Sequence, residues 1–236
     1  MLNSSLVQEG LKKSGDWKYE TSAVRKSGIK FGGIKYMSFH IVADSCCELT
    51  ADMKKRGNIE IAPLTLEVGG ESILDDETFD QKYFLKRVAE CPECPKSACP
   101  SPDYFRKSFL NGAERCYAVT LSAQLSGSYN SAVLGANLAQ EENEDLKIHV
   151  FNSRSASIGE TLIVKKIVEC EEAGMSFERV VETVELYIST QNTYFVLENL
   201  ETLRKNGRLS KTKALVASAL KIKPVMGATS VSYTHL

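Results

Sequence analysis

The sequence predicts an α/β fold of two domains, and three observations support this. Short apolar β runs alternate with helical patterns up to about residue 155, which is typical of parallel βαβ units with right-handed crossovers. Hydroxyl-rich turns follow three of these β runs. Beyond residue 155 two helical patterns follow one another before the next β run. We therefore predict a parallel-sheet domain at 37–155 and a second α/β domain at 156–236.

Local signals predict where the elements of the first domain begin and end. Pro63 interrupts the second β run. Thr78 and Gln81 have the spacing of a capping box, and Ser101 followed by Pro102 is a typical helix start. The predicted elements are strands at 39–43 and 59–68, helices at 78–90 and from 102, a strand at 116–121, a helix from 129 and a strand at 147–151, with a loop at 91–100.

The second domain is predicted from helical periodicity and two β runs. The predicted elements are helices at 159–173, 177–189, 198–205 and 213–220, and strands at 193–197 and 222–226. Residues 229–236 continue no pattern, so we expect this domain to be incomplete at its carboxyl end. At the other end, residues 1–36 are polar and only weakly periodic. We interpret them as a disordered or spurious extension, with Met37 as the natural first residue.

Composition limits the classes of function. With 43% hydrophobic and 25% charged residues, the chain is an ordinary globular protein. Its net charge of −1 and the lack of a basic stripe argue against nucleic-acid binding. No apolar run reaches membrane-spanning length, and the amino terminus lacks the apolar core of a signal peptide. Seven cysteines scattered through an α/β pattern suit the reducing cytoplasm, where we expect the protein to be.

The most informative stretch is the turn at residues 122–128, between a buried β run and a helical pattern. A helix that starts there presents unpaired N–H groups and the positive end of its dipole, which together form an anion site. The hydroxyl groups of Ser126 and Ser128 add donors beside it. The alternative is that Ser126 is only the N-cap of the helix.

Two further hydroxyl-rich turns follow β runs, at Asp44-Ser45 and at 153–157. In an open parallel sheet such turns lie at the carboxyl ends of the strands, where α/β folds bind ligands. Their convergence suggests a small anion held by hydroxyl and backbone N–H groups. The alternative is that each serine only caps a helix.

Signatures of catalysis and of metal binding are scarce. The sequence has no GxSxG, P-loop, GxGxxG or HExxH motif. His40 and His149 lie within β runs and are interpreted as core residues, so a serine nucleophile has no evident base. Cys91 and Cys94 lack a second ligand pair at zinc spacing. We predict a binding protein with no metal and no cofactor, and a serine-nucleophile hydrolase or transferase of a small acyl substrate is the alternative.

A cationic segment lies in the second domain. Arg204, Lys205 and Arg208 occur in a short span. They mark either a solvated helix end, where cations interact favourably with the dipole, or a docking face for an acidic partner or a phosphate.

Short blocks between Ile41 and about Met226 resemble, in order and spacing, the DegV family, the fatty-acid-binding proteins that serve bacterial fatty acid kinase. The blocks are DSCCEL at 44–49, IAPL at 61–64, KSACPSP at 96–102, LSGSYNSA at 125–132, NSRSASIG at 152–159, YFVLENL at 194–200, NGRLS at 206–210 and LKIKP at 220–224.

The resemblance implies a Rossmann-like parallel-sheet domain and a mixed-sheet, two-layer α/β domain, with a long-chain fatty acid buried between them. It implies that the hydroxyl groups of Ser97 and Ser126 hold the acyl carboxylate, and we expect the N–H groups of Gly127 and Ser128 to assist. Four positions depart from the family pattern, namely Cys46, Cys47, Ala98 and Cys99.

The resemblance also implies a role in bacterial phospholipid metabolism. The protein would present the carboxylate to a separate fatty acid kinase, which makes the acyl phosphate, and the cations at 204–208 would face that kinase. Small residues on the central helix, at 132, 135, 136 and 139, would leave room either for the acyl tail or for a closely packed helix.

Overall fold

The computed structural model describes residues 38–196 and 225–228. The elements in chain order are β1 (Phe39–Asp44), α1 (Ala51–Lys55), β2 (Ile59–Ala62), β3 (Thr65–Val68), β4 (Glu71–Leu74), α2 (Gln81–Glu90), β5 (Lys96–Ala98), α3 (Pro102–Phe109), β6 (Arg115–Thr120), α4 (Ser128–Glu142), β7 (Lys147–Asn152), α5 (Ile158–Glu172), α6 (Phe177–Thr190), β8 (Thr193–Val196) and β9 (Val225–Ala228). The extension predicted at 1–36 and the helices predicted at 198–205 and 213–220 lie outside the described residues.

A four-stranded parallel sheet of order β2-β1-β6-β7 forms the centre of the fold, as the sequence predicted. The two central strands, β1 and β6, are almost entirely buried because helices cover both faces of the sheet. Every residue of β6 is buried. Alternate side chains of that strand point to opposite sides: Tyr117 and Val119 belong to one hydrophobic cluster, and Cys116 and Ala118 to the other.

Each face of the sheet is covered by a pair of helices. The cluster containing Tyr117 includes Ile163 and Ile167 of α5 and Val184 of α6. The cluster on the opposite face includes side chains of α3 and α4, namely Phe105, Phe109, Ala132, Ala136 and Ala139. The packed layers therefore contain elements from both sides of the boundary predicted near residue 155.

α3 and α4 approach each other closely at Gly135. A Cβ atom on Gly135 would lie 2.6 Å from the Pro102 carbonyl oxygen and 2.7 Å from the Cβ of Phe105. The small residues of α4 therefore accommodate a neighbouring helix, which is one of the two roles that the sequence left open for them.

The run at 59–68, predicted as one strand region, forms two strands in different sheets. β2 ends before Pro63 in the parallel sheet, and β3 belongs to a separate antiparallel sheet of order β4-β3-β5. The loop predicted at 91–100 contains β5, which pairs with β3 so that Ser97 lies opposite Leu66.

One predicted helix cap is wrong and another is correct. The N-cap of α2 is Asp80, whose carboxylate accepts the Tyr83 N–H at 3.0 Å, and not Thr78, which is bonded to Asp76. Ser101 caps α3 as predicted, since its hydroxyl oxygen accepts the N–H of Tyr104.

The two strands beyond α6 pair with each other. β8 and β9 are antiparallel, with Tyr194 opposite Gly227. β9 overlaps the strand predicted at 222–226 at residues 225 and 226, and residues 222–224 lie outside the described residues. Within the described residues, none of the helices is both long enough and apolar enough to cross a membrane.

Candidate functional site

The three hydroxyl-rich turns meet at the carboxyl edge of the parallel sheet, as predicted. The N–H of Leu121 donates to Asp44 Oδ2 at 2.9 Å, which ties the central turn to the end of β1. The N–H of Ser122 donates to the carbonyl oxygen of Ser155 at 2.8 Å, which ties it to the turn after β7. The edge is therefore one hydrogen-bonded unit.

The central turn leads directly into α4. Gly127 is at the N-cap position, and no side chain caps the helix in the usual way. The Ser126 hydroxyl oxygen instead accepts the N–H of Ser128 at 3.2 Å and lies 3.2 Å from the Ser128 hydroxyl. Ser126 is partly exposed, Gly127 is exposed and Ser128 is buried. The hydroxyl of Ser126 is therefore accessible to a ligand. Ser126 is not the N-cap residue of α4, because Gly127 occupies that position.

The structure brings the loop that carries Ser97 next to this turn. Ser97 lies on β5 and is exposed. Two residues after Ser97, the Cys99 thiol packs against Gly127: a Cβ atom added to Gly127 would lie 3.2 Å from Cys99 Sγ. The Ser131 hydroxyl donates to the carbonyl oxygen of Pro100 at 2.5 Å. The segment after β5 is thus fixed against the first turn of α4.

The turn after β7 has an uncommon backbone. Arg154 and Ser157 have positive φ angles, 52° and 56°, which are rare for residues other than glycine. The Ser157 hydroxyl donates to Glu48 at 2.5 Å. A Cβ on Gly159 would lie 2.0 Å from Ser155 Oγ, so glycine is required there. Strain of this kind clusters at binding sites, which agrees with a ligand at this edge.

Sequence reasoning missed a buried carboxyl group beside the turn. Glu160, in the first turn of α5, and Asp44 are both 0% exposed. Burial, and next the charge of Asp44, hold the pKa of Glu160 well above its usual range. Burial also raises the pKa of Asp44. The hydrogen bonds that its carboxylate accepts from the N–H groups of Leu121 and Cys46 lower this pKa, but the effect of burial is larger. An acidic residue in a first helical turn is ordinary, so only its burial sets Glu160 apart.

Two thiols next to this pair are held in the protonated form. Burial, followed by the charge of Asp44, raises the pKa of Cys46, and burial raises that of Cys47 to about 12. Since a thiolate is the reactive form, neither is an activated nucleophile. Donor atoms of Asp44, Cys46 and Glu160 lie within 4.8 Å of one another. This spacing alone does not make a metal site, and the absence of a metal stays a prediction.

The other predicted candidates lie away from this edge or outside the described residues. His40 and His149 contact Glu60 and Glu185 at 3.2 and 3.1 Å. Within residues 38–196, neither histidine bonds to a serine of the central turn, so the hydrolase alternative gains no base. The cations at 204–208 are not among the described residues.

A surface hollow lies at the opposite edge of the sheet. Its lining includes Leu110, Glu114 and Lys147, which precede or begin β6 and β7 at the amino ends of those strands. It is therefore not the ligand site predicted at the carboxyl edge.

The fold and the carboxyl edge of its parallel sheet define a class of protein. It is an α/β protein in which the turns after the parallel strands present hydroxyl and backbone N–H groups. The family model described as "Uncharacterised protein, DegV family" matches residues 38–235. The chain therefore belongs to the DegV family, which confirms the resemblance found in its sequence.

Relatives and solved structures agree with this assignment. A DegV domain-containing protein of Streptococcus pneumoniae is 37% identical over 202 residues, 85% of this chain and 72% of the relative. The crystal structure of a DegV family protein from Ruminococcus gnavus, refined with vaccenic acid, is 54% identical with a TM-score of 0.76, covering 83% of this chain and 69% of that one. The Streptococcus pneumoniae Fatty Acid Kinase (Fak) B3 protein, loaded with linoleic acid, is 35% identical with a TM-score of 0.72, covering 83% and 70%.

Proposed function

We propose that this protein binds a long-chain fatty acid and holds its carboxylate at the start of α4. The observation that carries the proposal is the turn at Ser126, Gly127 and Ser128, where a helix begins without a side-chain N-cap beside the partly exposed hydroxyl of Ser126. A helix N-terminus and hydroxyl donors suit a carboxylate. The fatty acids named in the R. gnavus and S. pneumoniae structures support the same ligand class.

Ser97 is proposed as a further donor to the carboxylate. Its strand is exposed, and the residues that follow it contact the first turn of α4 through Cys99 and Pro100. Ser97 belongs to the antiparallel sheet, and from there its hydroxyl can approach the carboxylate that is proposed to bind at the start of α4.

The acyl tail would supply most of the affinity. At roughly 0.8 kcal/mol per buried CH₂, about fourteen methylenes contribute on the order of 10 kcal/mol before the costs of association. We propose that the tail lies between the domains at 37–155 and 156–236. The protein would act as a lipid carrier with no cofactor and no catalytic residues of its own.

The proposed partner is a separate fatty acid kinase, which would phosphorylate the presented carboxylate in the cytoplasm. The name of the S. pneumoniae neighbour supports this. Arg204, Lys205 and Arg208 are the proposed contact face, because cations suit a partner that handles ATP phosphates.

Mass spectrometry of a lipid extract from the denatured, purified protein tests the ligand class. We expect one long-chain fatty acid per chain. Ser126→Ala should lower the affinity for added oleic acid about tenfold, because one hydrogen bond to a charged group is lost. Ser189→Ala, at an exposed position of α6, is the matched control and should bind as the wild type does. A folded preparation that neither carries nor binds a fatty acid would refute the proposal.

A further inference from the structure

Two carboxyl groups are buried directly behind the serine turn. Asp44 ends β1 and Glu160 lies in the first turn of α5, and neither side chain is exposed to solvent. One donor atom from each lies within 4.8 Å of the other. Two carboxylates this close and this buried repel each other strongly. Such a pair therefore keeps one proton at pH values at which an isolated carboxyl group is already ionised.

Hydrogen bonding distinguishes the two members of the pair. Asp44 accepts the N–H groups of Leu121 and Cys46, at 2.9 and 3.1 Å, and the nearby hydroxyl of Ser128 also stabilises its carboxylate form. Among the described residues, neither carboxyl oxygen of Glu160 has a partner of ordinary hydrogen-bond geometry, although its side chain interacts with Asp44 and with the N–H of Ser157. Donors stabilise a carboxylate, so the charge belongs on Asp44 and the proton on Glu160.

Within residues 38–196, no Lys, Arg or His is among the groups that shift the pKa of Asp44 or of Glu160. The titratable groups that interact with Asp44 and Glu160 from the β1–α1 turn are the thiols of Cys46 and Cys47. Next to those thiols are the acidic Asp75 and Glu48. Every one of these groups is neutral or negative, and a neutral Glu160 is the form that such an environment favours.

The pair is connected to the proposed carboxylate site through hydroxyl groups. The Ser128 hydroxyl lowers the pKa of Asp44, which is the effect of a hydroxyl whose single proton points to the carboxylate. In the contact between Ser126 and Ser128 (3.2 Å), Ser126 is then the donor. When an anion arrives, Ser126 can turn its proton to the anion while Asp44 keeps Ser128 in place.

We propose that Glu160, as the neutral acid, and Asp44, as the carboxylate, are positioning residues that orient Ser128 and thereby the Ser126 hydroxyl that binds the ligand carboxylate. This rests on the proposed function. Loss of the proton from Glu160 places a second negative charge behind the turn. That charge disturbs the interaction of Asp44 with the Ser128 hydroxyl and repels the carboxylate of an incoming fatty acid. The affinity for the fatty acid therefore falls as pH rises.

The pH profile of fatty-acid affinity tests this, with cis-parinaric acid as the fluorescent probe. We expect the wild-type affinity to fall by about tenfold or more as Glu160 ionises, at a pH well above the ordinary carboxyl range. Glu160→Gln keeps a donor that cannot ionise, so its profile should be flat. Asp44→Asn should weaken binding at every pH. Glu141→Gln, at an exposed position of α4, should follow the wild type.

A second readout reports the proton itself. The infrared band of a protonated carboxyl group should persist in the wild type well above the ordinary carboxyl pKa, disappear over the pH range in which the affinity falls, and be absent in Glu160→Gln. Identical pH profiles for the wild type and Glu160→Gln would overturn the positioning role, and so would a stoichiometric bound metal lost in Cys46→Ser. If the wild type binds no cis-parinaric acid at any pH, the proposed fatty-acid binding fails as well. Failure of the positioning role alone is therefore distinguishable from failure of the proposed function.

Discussion

Replacing Glu160 by Gln should change how the stability of the protein depends on pH. Burial raises the pKa of Glu160 well above 4.5 in the folded state, whereas the unfolded chain restores the ordinary value. Between these two pKa values the folded protein binds one more proton than the unfolded chain. The free energy of unfolding therefore falls as pH rises, by about 1.4 kcal/mol per pH unit. The contribution is complete below the unfolded pKa and is lost as pH approaches the folded pKa.

Glutamine cannot ionise, so the variant lacks this slope. From pH 5 to pH 7 the stability of Glu160→Gln relative to the wild type should rise by up to about 3 kcal/mol, which is two pH units at the slope above. Urea unfolding at a series of pH values measures the difference, with Glu141→Gln as the exposed control. A gap between Glu160→Gln and the wild type that stays constant with pH would refute the assignment of a buried neutral acid.

Three further predictions concern the scaffold, and urea unfolding at neutral pH checks each of them. Gly135→Ala should destabilise the protein by about 1–3 kcal/mol, because its Cβ would lie 2.6 Å from the backbone oxygen of Pro102; an unchanged midpoint would contradict the close contact of α3 and α4. Glu171→Ala should cost about 3–5 kcal/mol, since it leaves the Arg115 guanidinium, 2.8 Å away, buried without its partner; a loss below 1 kcal/mol, roughly that of a surface pair, would argue against it. Asp80→Ala should cost about 0.5–2 kcal/mol through loss of the α2 N-cap, and no loss would contradict the assigned cap.

The parallel sheet could be predicted because its signals are local. Continuous apolar runs such as the one that forms β6 occur only where both faces of a strand are covered. The cap at Ser101 was predictable for the same reason, since the capping serine and the following Pro102 are adjacent in sequence.

Competition between neighbouring side chains explains the wrong cap. Thr78 and Gln81 have the spacing of a capping box, but Asp80 is also a good N-cap residue and lies closer to the helix. Thr78 donates instead to Asp76 at 2.7 Å. Nothing in the local sequence decides which of two capping residues, separated by one position, the helix uses.

Non-local packing explains what else the sequence could not provide. Pro63 marked a break, but the strand β5, which also pairs with β3, lies far along the chain, beyond the β3–β4 hairpin and α2. The burial of Glu160 depends on the approach of α5 to the end of β1, which no local pattern encodes. The donors at Ser97, Ser126, Gly127 and Ser128, the partner face at 204–208 and the domain boundary near residue 155 stay predictions.

A crystal structure of the protein with oleic acid would test the central claim most directly. We predict that the carboxylate lies within hydrogen-bond distance of Ser126 Oγ and of the first N–H groups of α4, with Glu160 unexposed behind them. A head group located at the opposite edge of the sheet, near Leu110 and Lys147, would contradict the proposed site.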